Sequence, residues 1–135
     1  MKDELHLLDT NIIIYCYSKD ELDKHKIALS LLEHQNIILS RQVLNEICNV
    51  LIRKFGKSPK DVRNVINELS KIPVLELTEN TTTKALDVID KYHFSFWDSM
   101  LVASALENKC SILYSEDFQH GQIIDDKLRI INPFK

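Results

Sequence analysis

Three acidic motifs stand beside apolar runs of the chain, and their carboxylates are suited to binding a metal cation. Asp9 directly follows the run Leu-His-Leu-Leu, and Asp117 comes two residues after the run 111–115. Asp98 separates an aromatic segment from the apolar run 99–103. An ionised carboxylate beside a buried element is unfavourable by several kcal/mol unless another group compensates its charge. One divalent cation would compensate several such acids at once.

Asp9 and Asp117 also share a place relative to the predicted strands, because each of them follows one. The carboxyl ends of parallel strands lie along one edge of an open α/β sheet, and such sheets bind their ligands there. Hard oxygen donors of this kind suit Mg²⁺ or Mn²⁺. The two motifs therefore predict a site for one of these ions at that edge.

A fourth acid, Glu46, lies on the margin of the apolar face of a predicted helix. That face is formed at helical spacing by Val43, Leu44, Ile47, Leu51 and Phe55. No basic residue stands three or four positions from Glu46, so an ion pair along the helix does not account for it. Its simplest structural role is a hydrogen bond to Gln42, one turn earlier. By itself, Glu46 fits a solvated surface as well as a functional site.

Asp9 has a structural interpretation besides metal binding, because aspartate is a good N-cap for a helix that starts at residue 10. Thr10 or Asn11 could take that capping role instead and leave Asp9 free to bind a metal. Both interpretations of Asp9 stay open on the residues alone.

Asp98 and Asp117 have structural interpretations as well. Ser95-x-x-Asp98 resembles a capping box, in which the third helical residue bonds back to the cap. The segment after Asp98 is nearly apolar, so its helix should be buried, and the helix dipole favours a carboxylate in the first turn. Asp117, with Ser115 nearby, is also typical of a polar turn.

The elements that must position these acids alternate between strands and helices. Apolar runs predict strands at about 5–8, 36–39, 74–77, 111–115 and 128–131. Helical periodicity and capping residues predict helices at about 10–17, 19–34, 41–55, 58–71, 81–91 and 96–108. This alternation predicts a single domain over residues 1–135 of the α/β class, with a central parallel sheet flanked by helices on both faces.

Composition excludes several classes of protein. The chain of 135 residues is 44% hydrophobic and 27% charged, which is ordinary for one soluble domain. Its only glycines, Gly56 and Gly121, cannot form a dinucleotide-binding turn, a P-loop or the nucleophile elbow of an α/β-hydrolase. Cys16, Cys48 and Cys110 are not closely paired, so they indicate neither a disulfide framework nor a zinc site.

The same features predict a cytoplasmic protein that is not bound to a membrane. No apolar run approaches the ~18 residues that a membrane span needs. The acidic N-terminal segment 1–4 does not resemble a signal peptide.

A local excess of positive charge interrupts a chain whose formal net charge is −3. Between positions 53 and 63 only Asp61 opposes five basic residues: Arg53, Lys54, Lys57, Lys60 and Arg63. Arg53 is seven residues after Glu46 and lies on the same side of its helix, two turns on. The stretch is a candidate edge for contacting RNA phosphates, and a solvated helix surface is the alternative.

Taken together and in order, the acidic motifs resemble a PIN domain, most closely the VapC-type toxin ribonucleases of toxin–antitoxin pairs. The resemblance rests on Leu-Leu-Asp9-Thr-Asn, the helical Glu46, Asp98-Ser-Met-Leu-Val-Ala-Ser-Ala-Leu, and Leu-Tyr-Ser115-Glu-Asp117-Phe. It extends to the closing Leu-Arg-Ile-Ile-Asn-Pro-Phe. Glu116 departs from the pattern, since a basic or neutral residue is common there, and it adds negative charge at the rim of the site.

The resemblance implies a role for each matching residue. Asp9, Glu46 and Asp98 match the three acids of the family, and Asp117 falls on a fourth, more variable position. Asp9 and Asp98 would hold Mg²⁺ or Mn²⁺ directly, while Glu46 and Asp117 would act through water, orient the nucleophile or complete a second metal site. Further hydrogen bonds to the metal ligands would come from Thr10, Asn11 and Ser115.

The implied activity is metal-dependent endoribonuclease cleavage. The implied partners are an RNA substrate, a cognate antitoxin protein and a second copy of the chain. Two alternatives remain. A phosphatase with an aspartate nucleophile would need a second aspartate where Asn11 stands. A catalytically silent PIN domain that only binds RNA or protein would have no need for all four acids.

Overall fold

Strands and helices alternate along residues 4–135, which the computed structural model describes. The strands of this part are β1 (His6–Leu8), β2 (Ile37–Ser40), β3 (Val74–Leu75), β4 (Ile112–Tyr114), β5 (Ile123–Ile124) and β6 (Leu128–Ile131). Its helices are α1 (Thr10–Cys16), α2 (Leu22–Leu32), α3 (Arg41–Arg53), α4 (Pro59–Leu69), α5 (Glu79–Tyr92) and α6 (Phe96–Glu107).

The strands form a single sheet in the order β3-β2-β1-β4-β6-β5. All neighbouring strands are parallel except β5 and β6, which are antiparallel. The chain leaves β1 towards β2 on one side and later returns to β4 on the other. The predicted α/β fold with a parallel sheet is therefore confirmed, and the antiparallel β5 is an addition that the sequence did not predict.

The helices pack in two groups. Helix α1 contacts α2 and α3, and α3 contacts α4, whereas α5 contacts α6. Helices α1 to α4 connect β1 to β2 and β2 to β3, so these connections run from β1 towards the β3 edge of the sheet. Helices α5 and α6 connect β3 to β4, so this connection runs in the opposite direction. Because such crossovers are right-handed, connections that run in opposite directions place their helices on opposite faces of the sheet.

Two predicted helix starts follow the expected capping chemistry. The Ser40 hydroxyl accepts a 3.1 Å hydrogen bond from the N–H of Val43 and begins α3. Ser58 accepts one of 3.2 Å from Asp61, with Pro59 in the first helical position of α4. These caps satisfy N–H groups that have no partner within the helix.

The predicted burial of α6 is also observed. Every residue from Ser99 to Ala105 is buried, so this helix is covered on all sides after its first turn. Its first turn, which carries Asp98, is therefore held in place by a well-packed helix.

No helix of residues 4–135 is both long enough and apolar enough to cross a lipid bilayer. Residues 1–3, part of the segment that we compared with a signal peptide, lie outside the described residues.

Candidate active site

Asp9 lies where the sheet changes the direction of its connections. It follows β1, and its N–H donates a 2.9 Å hydrogen bond to the carbonyl of Tyr114 at the end of β4. Parallel β1 and β4 are neighbours whose following connections leave in opposite directions, which opens a crevice at their carboxyl ends. Asp9 and the loop after β4 lie at these carboxyl ends, where the neighbouring residues Thr10 and Asp117 line a cleft.

The carboxylate of Asp9 is buried and hydrogen-bonded through both oxygens. Only 8% of the surface of Asp9 is exposed to solvent. Oδ1 accepts from the N–H of Thr10 at 2.7 Å, and Oδ2 accepts from the hydroxyl of Ser115 at 2.7 Å. An ionised carboxylate has about four acceptor positions, so each oxygen can also face a cation.

Asp9 is itself the N-cap of α1, and our suggestion that Thr10 or Asn11 would take this role is wrong. Thr10 is already the first helical residue, and its buried hydroxyl has no hydrogen-bond partner among residues 4–135. The Asn11 side chain instead accepts a 3.3 Å hydrogen bond from the N–H of Glu116. Capping therefore orients Asp9 and leaves it able to bind a metal.

Burial raises the pKa of Asp9 to about 6, although the hydrogen bonds from Ser115 and Thr10 favour its ionised form. The nearby charges of Asp117 and Glu46 add to the rise. Like charges around a buried carboxylate disfavour its ionised form, and a divalent cation between them removes the penalty.

Asp98 lies in the first turn of α6 and is half-buried. Its N–H donates a 3.2 Å hydrogen bond to the Ser95 hydroxyl, which is one half of a capping box. Within residues 4–135, the Asp98 carboxylate does not accept the reciprocal hydrogen bond from the Ser95 N–H that would complete the box. Burial raises the pKa of Asp98, the Ser95 side chain opposes the rise, and the charge of Asp117 adds to it.

Asp117 and Glu116 are adjacent and have different surroundings. The charge of Asp117 raises the pKa of both Asp9 and Asp98, so Asp117 is the acid that lies near both of them. Glu116 instead accepts a 2.7 Å hydrogen bond from the Tyr15 hydroxyl and forms a salt bridge with Lys24. Burial alone would raise the pKa of Glu116, but the bonds from Lys24 and Tyr15 bring it below its usual value.

Glu46 borders a cleft of about 440 Å³ together with Asp117, Thr10 and Asn11. Its Oε1 accepts a 3.3 Å hydrogen bond from the Gln42 amide, which also donates to the Trp97 carbonyl at 3.0 Å. The contact with Gln42 that we expected along the helix is therefore present. It holds α3 against the start of α6 and leaves Glu46 exposed at the cleft.

The arrangement fits a hydrated ion better than a closed shell of protein ligands. Within residues 4–135, no three Asp, Glu, His or Cys side chains lie close enough together to share one ion as they are placed. Mg²⁺ commonly keeps several waters and takes only one or two carboxylates from the protein. Asp9, with both oxygens hydrogen-bonded and an unfavourable buried charge, has the donor chemistry for such an ion, and the charges of Asp117 and Glu46 lie near enough to raise its pKa further.

The five basic residues of the stretch 53–63 are all exposed, and none forms a salt bridge with another residue of the described chain 4–135. The acidic cleft is bordered by three residues spaced four apart along α3 and at its end: Glu46, Val50 and Lys54. We expected Arg53 to extend this path, but the structure places Lys54 there. The reason is that i, i+4 and i+8 positions follow the edge of the helix that faces the cleft.

Sequence reasoning missed Tyr15 and Lys24, which hold Glu116 away from the other acids. Tyr15 is four residues after Asn11 on α1, so the two side chains share a face and both contact Glu116. That spacing was a usable signal for Tyr15. No comparable signal existed for Lys24, which is 92 positions from its partner.

The fold and the acidic crevice agree with a match to a known family. The family model of the PIN domain matches residues 6–123, and the chain belongs to this family. No curated protein sequence matches it significantly.

Solved structures with the same fold include a toxin and a toxin–antitoxin complex. VapC20 of Mycobacterium tuberculosis, a toxin that cleaves the sarcin-ricin loop, is 18% identical with a TM-score of 0.68, over 83% of this chain and 89% of that one. A toxin–antitoxin complex from Klebsiella pneumoniae is 18% identical with a TM-score of 0.71, over 95% of this chain and 97% of that one. FitAcB from Neisseria gonorrhoeae is 16% identical with a TM-score of 0.71, over 96% and 99%. At these identities the similarity is one of fold.

Proposed function

We propose that this PIN-domain protein is a Mg²⁺- or Mn²⁺-dependent endoribonuclease that hydrolyses RNA phosphodiester bonds. The observation that carries the proposal is Asp9, a buried carboxylate at the switch point of the sheet. The charges of Asp117 and Glu46 lie near it, and among residues 4–135 its hydrogen-bond partners include no cationic side chain. Such a group is stabilised by a metal ion, and a metal at this crevice is open to a polymeric substrate.

Each acid has a separate role in the proposed mechanism. Asp9 and Asp98 would hold the ion directly, with Asp9 oriented by Ser115 and Thr10. When bound, the ion would polarise the scissile phosphodiester and lower the pKa of the attacking water. Glu46 and Asp117 face the cleft, where they orient that water or bind further ions through water. The exposed Lys54 at the end of the cleft attracts the RNA phosphates.

We further propose that the chain is the toxin of a type II toxin–antitoxin pair. Support comes from neighbours of the same fold, which include a VapC toxin and a toxin–antitoxin complex. This role places the protein in the cytoplasm as a homodimer, and a cognate antitoxin protein covers the acidic crevice.

A nuclease assay on the purified chain tests the activity. Wild-type protein should cleave RNA with Mg²⁺ or Mn²⁺ and not with EDTA, and Asp9→Asn should abolish the cleavage. Asp87→Asn, an exposed acid on α5, serves as a control that should retain it. An Asp9→Asn protein that still cleaves in a metal-dependent way would show that the assignment of the site is wrong.

Growth measurements test the toxin role separately. Expression of the wild type without a partner should slow growth, and Asp9→Asn should restore it. Normal growth with folded, active protein would exclude the toxin role and leave the nuclease standing.

The absence of a closed acid cluster among residues 4–135 favours one alternative, a silent PIN domain that binds RNA without cleaving it. The two functions differ in one measurement. A silent domain would bind RNA equally well as wild type and as Asp9→Asn, and would cleave it in neither form.

A further inference from the structure

Glu116 is tied to two helices by its side chain. The Tyr15 hydroxyl on α1 donates to its Oε1 at 2.7 Å, and Lys24 on α2 binds its Oε2. Lys24 also donates to the Tyr15 hydroxyl at 3.3 Å, so each of the three groups contacts the other two. We call Tyr15, Lys24 and Glu116 the carboxylate clamp.

Aromatic rings hold the cation of the clamp in place. The Lys24 ammonium lies 5.0 Å from the centre of the Tyr15 ring and 5.3 Å from that of Phe134. The two rings meet edge to face, with their centres 5.1 Å apart. Attraction between an ammonium and aromatic faces adds to the salt bridge, and Lys24 is only partly exposed.

The clamp acts next to the loop that carries Asp117. The N–H of Glu116 donates to the Asn11 side chain at 3.3 Å, and the N–H of Asp117 donates to the Ser115 hydroxyl at 3.1 Å. On the far side of Asp117, Phe118 packs edge to face against Phe94 at 5.1 Å between ring centres. The backbone of Asp117 is thus held on both sides, although its own side chain is exposed.

We propose that the carboxylate clamp positions Asp117 and thereby sets the affinity of the acidic crevice for a divalent cation; this inference rests on the proposed metal-dependent function. Tyr15 and Lys24 are positioning residues that act through Glu116 and the peptide bond it shares with Asp117. The Glu116 carboxylate anchors the loop of Asp117, because Lys24 binds it and balances its negative charge. Partners that orient metal ligands commonly change metal affinity when they are removed.

A second clamp elsewhere in the chain provides a matched control. Lys91 binds the Asp125 carboxylate at 2.7 Å, the Tyr92 hydroxyl donates to the same oxygen at 2.8 Å, and the Lys91 ammonium lies 5.5 Å from the Tyr92 ring centre. It has the same three chemical groups and ties α5 to the turn between β5 and β6. None of its residues borders the acidic cleft.

The experiment compares charge-conserving variants of the two clamps. Tyr15→Phe and the double variant Lys24→Met/Glu116→Gln keep the net charge of the protein. A change in Mn²⁺ affinity therefore does not come from a change in its total charge. Tyr92→Phe and Lys91→Met/Asp125→Asn are their controls. Amide hydrogen exchange of residues 115–118 is measured without metal, and Mn²⁺ binding is measured by calorimetry.

The clamp variants should speed exchange at the 116 and 117 amides and weaken Mn²⁺ binding by about tenfold, whereas the controls should change neither. Unchanged exchange overturns the proposal, as does faster exchange with unchanged Mn²⁺ affinity. If the clamp variants and the control variants weaken Mn²⁺ binding equally, the proposal is also overturned, since a general loss of stability would then explain the weaker binding. A wild type that binds no Mn²⁺ refutes the proposed function and this inference with it, whereas equal binding by wild type and Tyr15→Phe refutes the inference alone.

Discussion

The hydroxyl of Ser115 donates a 2.7 Å hydrogen bond to Oδ2 of Asp9 across the boundary between β4 and β1. Leu8 and Tyr114 are paired in register, so Asp9 and Ser115 are the next residues on two neighbouring parallel strands. The same hydroxyl accepts from the N–H of Asp117. One buried side chain therefore orients Asp9 and links it to the loop of Asp117.

Removing this hydroxyl should weaken metal binding more than it changes the fold. Ser115→Ala leaves one oxygen of a buried carboxylate without its partner, which costs about 1–3 kcal/mol of stability. We expect Mn²⁺ affinity to fall about tenfold, because the ligand loses an orienting bond. Ser115→Thr keeps the hydroxyl and is the control. Calorimetric affinities that are equal for the Ala and Thr variants would exclude this role.

The raised pKa of Asp9 predicts an unusual pH dependence of stability in the absence of metal. Its folded-state pKa of about 6 lies above the ordinary value of 3.8, so the native state holds this proton more tightly than the unfolded chain. The contribution of this tightly held proton to stability is complete below pH 3.8, the ordinary pKa, and is lost as the pH rises through about 6. The loss is about 2–3 kcal/mol at most.

Denaturation of wild type and Asp9→Asn between pH 4 and 7 checks this linkage. Without metal, the free energy of unfolding of the wild type should fall relative to that of Asp9→Asn as the pH rises. At pH 7, Mg²⁺ or Mn²⁺ should raise the melting temperature of the wild type only, because the ion binds its native state. If the free energies of unfolding of the two proteins change in parallel with pH, the pKa of Asp9 is not raised in the folded state.

Much of the site was predictable because its signals are local. Asp9 and Ser115 each end a short apolar run, and the helical phase of α3 puts Glu46 on the margin of its apolar face. These are properties of one strand or one helix at a time. The salt bridge of Glu116 with Lys24 was not predictable, since it depends on how α2 packs and joins two residues that are 92 positions apart.

Strand β5 was missed for a different reason. It has two residues, too few for an alternating pattern, and pairs with β6 through a turn in which Asp125 and Asp126 have φ of 52° and 58°. Aspartate tolerates this left-handed backbone better than most residues, but the turn lacks the glycine that usually marks such a hairpin in a sequence.

Asp98 and Ser95 can be separated experimentally, because the structure divides capping from metal binding. The cap is made by the N–H of Asp98, which donates to the Ser95 hydroxyl and is retained in Asp98→Asn. Asp98→Asn should therefore keep the fold and lose RNA cleavage, whereas Ser95→Ala should lower stability by about 1 kcal/mol and keep most of the activity. Both quantities are measured on the same preparation. Retained activity in Asp98→Asn, with lost stability, would mean that Asp98 only caps.

The RNA affinity that each residue of the basic stretch provides should decrease with its distance from the cleft. Lys54 borders the acidic cleft, while Arg63 lies a helix away on α4. Each phosphate contact should contribute ~0.7 to the slope of log K against log salt for single-stranded RNA. Lys54→Gln should weaken RNA binding and flatten this slope by about that amount.

Arg63→Gln is the matched control for Lys54→Gln, because it removes the same charge from an exposed helix, and Arg53→Gln and Lys57→Gln should fall between them. Metal affinity should change little in all of these variants, since none removes a carboxylate. RNA binding is measured by fluorescence anisotropy at several salt concentrations with the inactive Asp9→Asn background. Equal slopes for Lys54→Gln and Arg63→Gln would show that the RNA path avoids the end of α3 and that this stretch is a solvated surface.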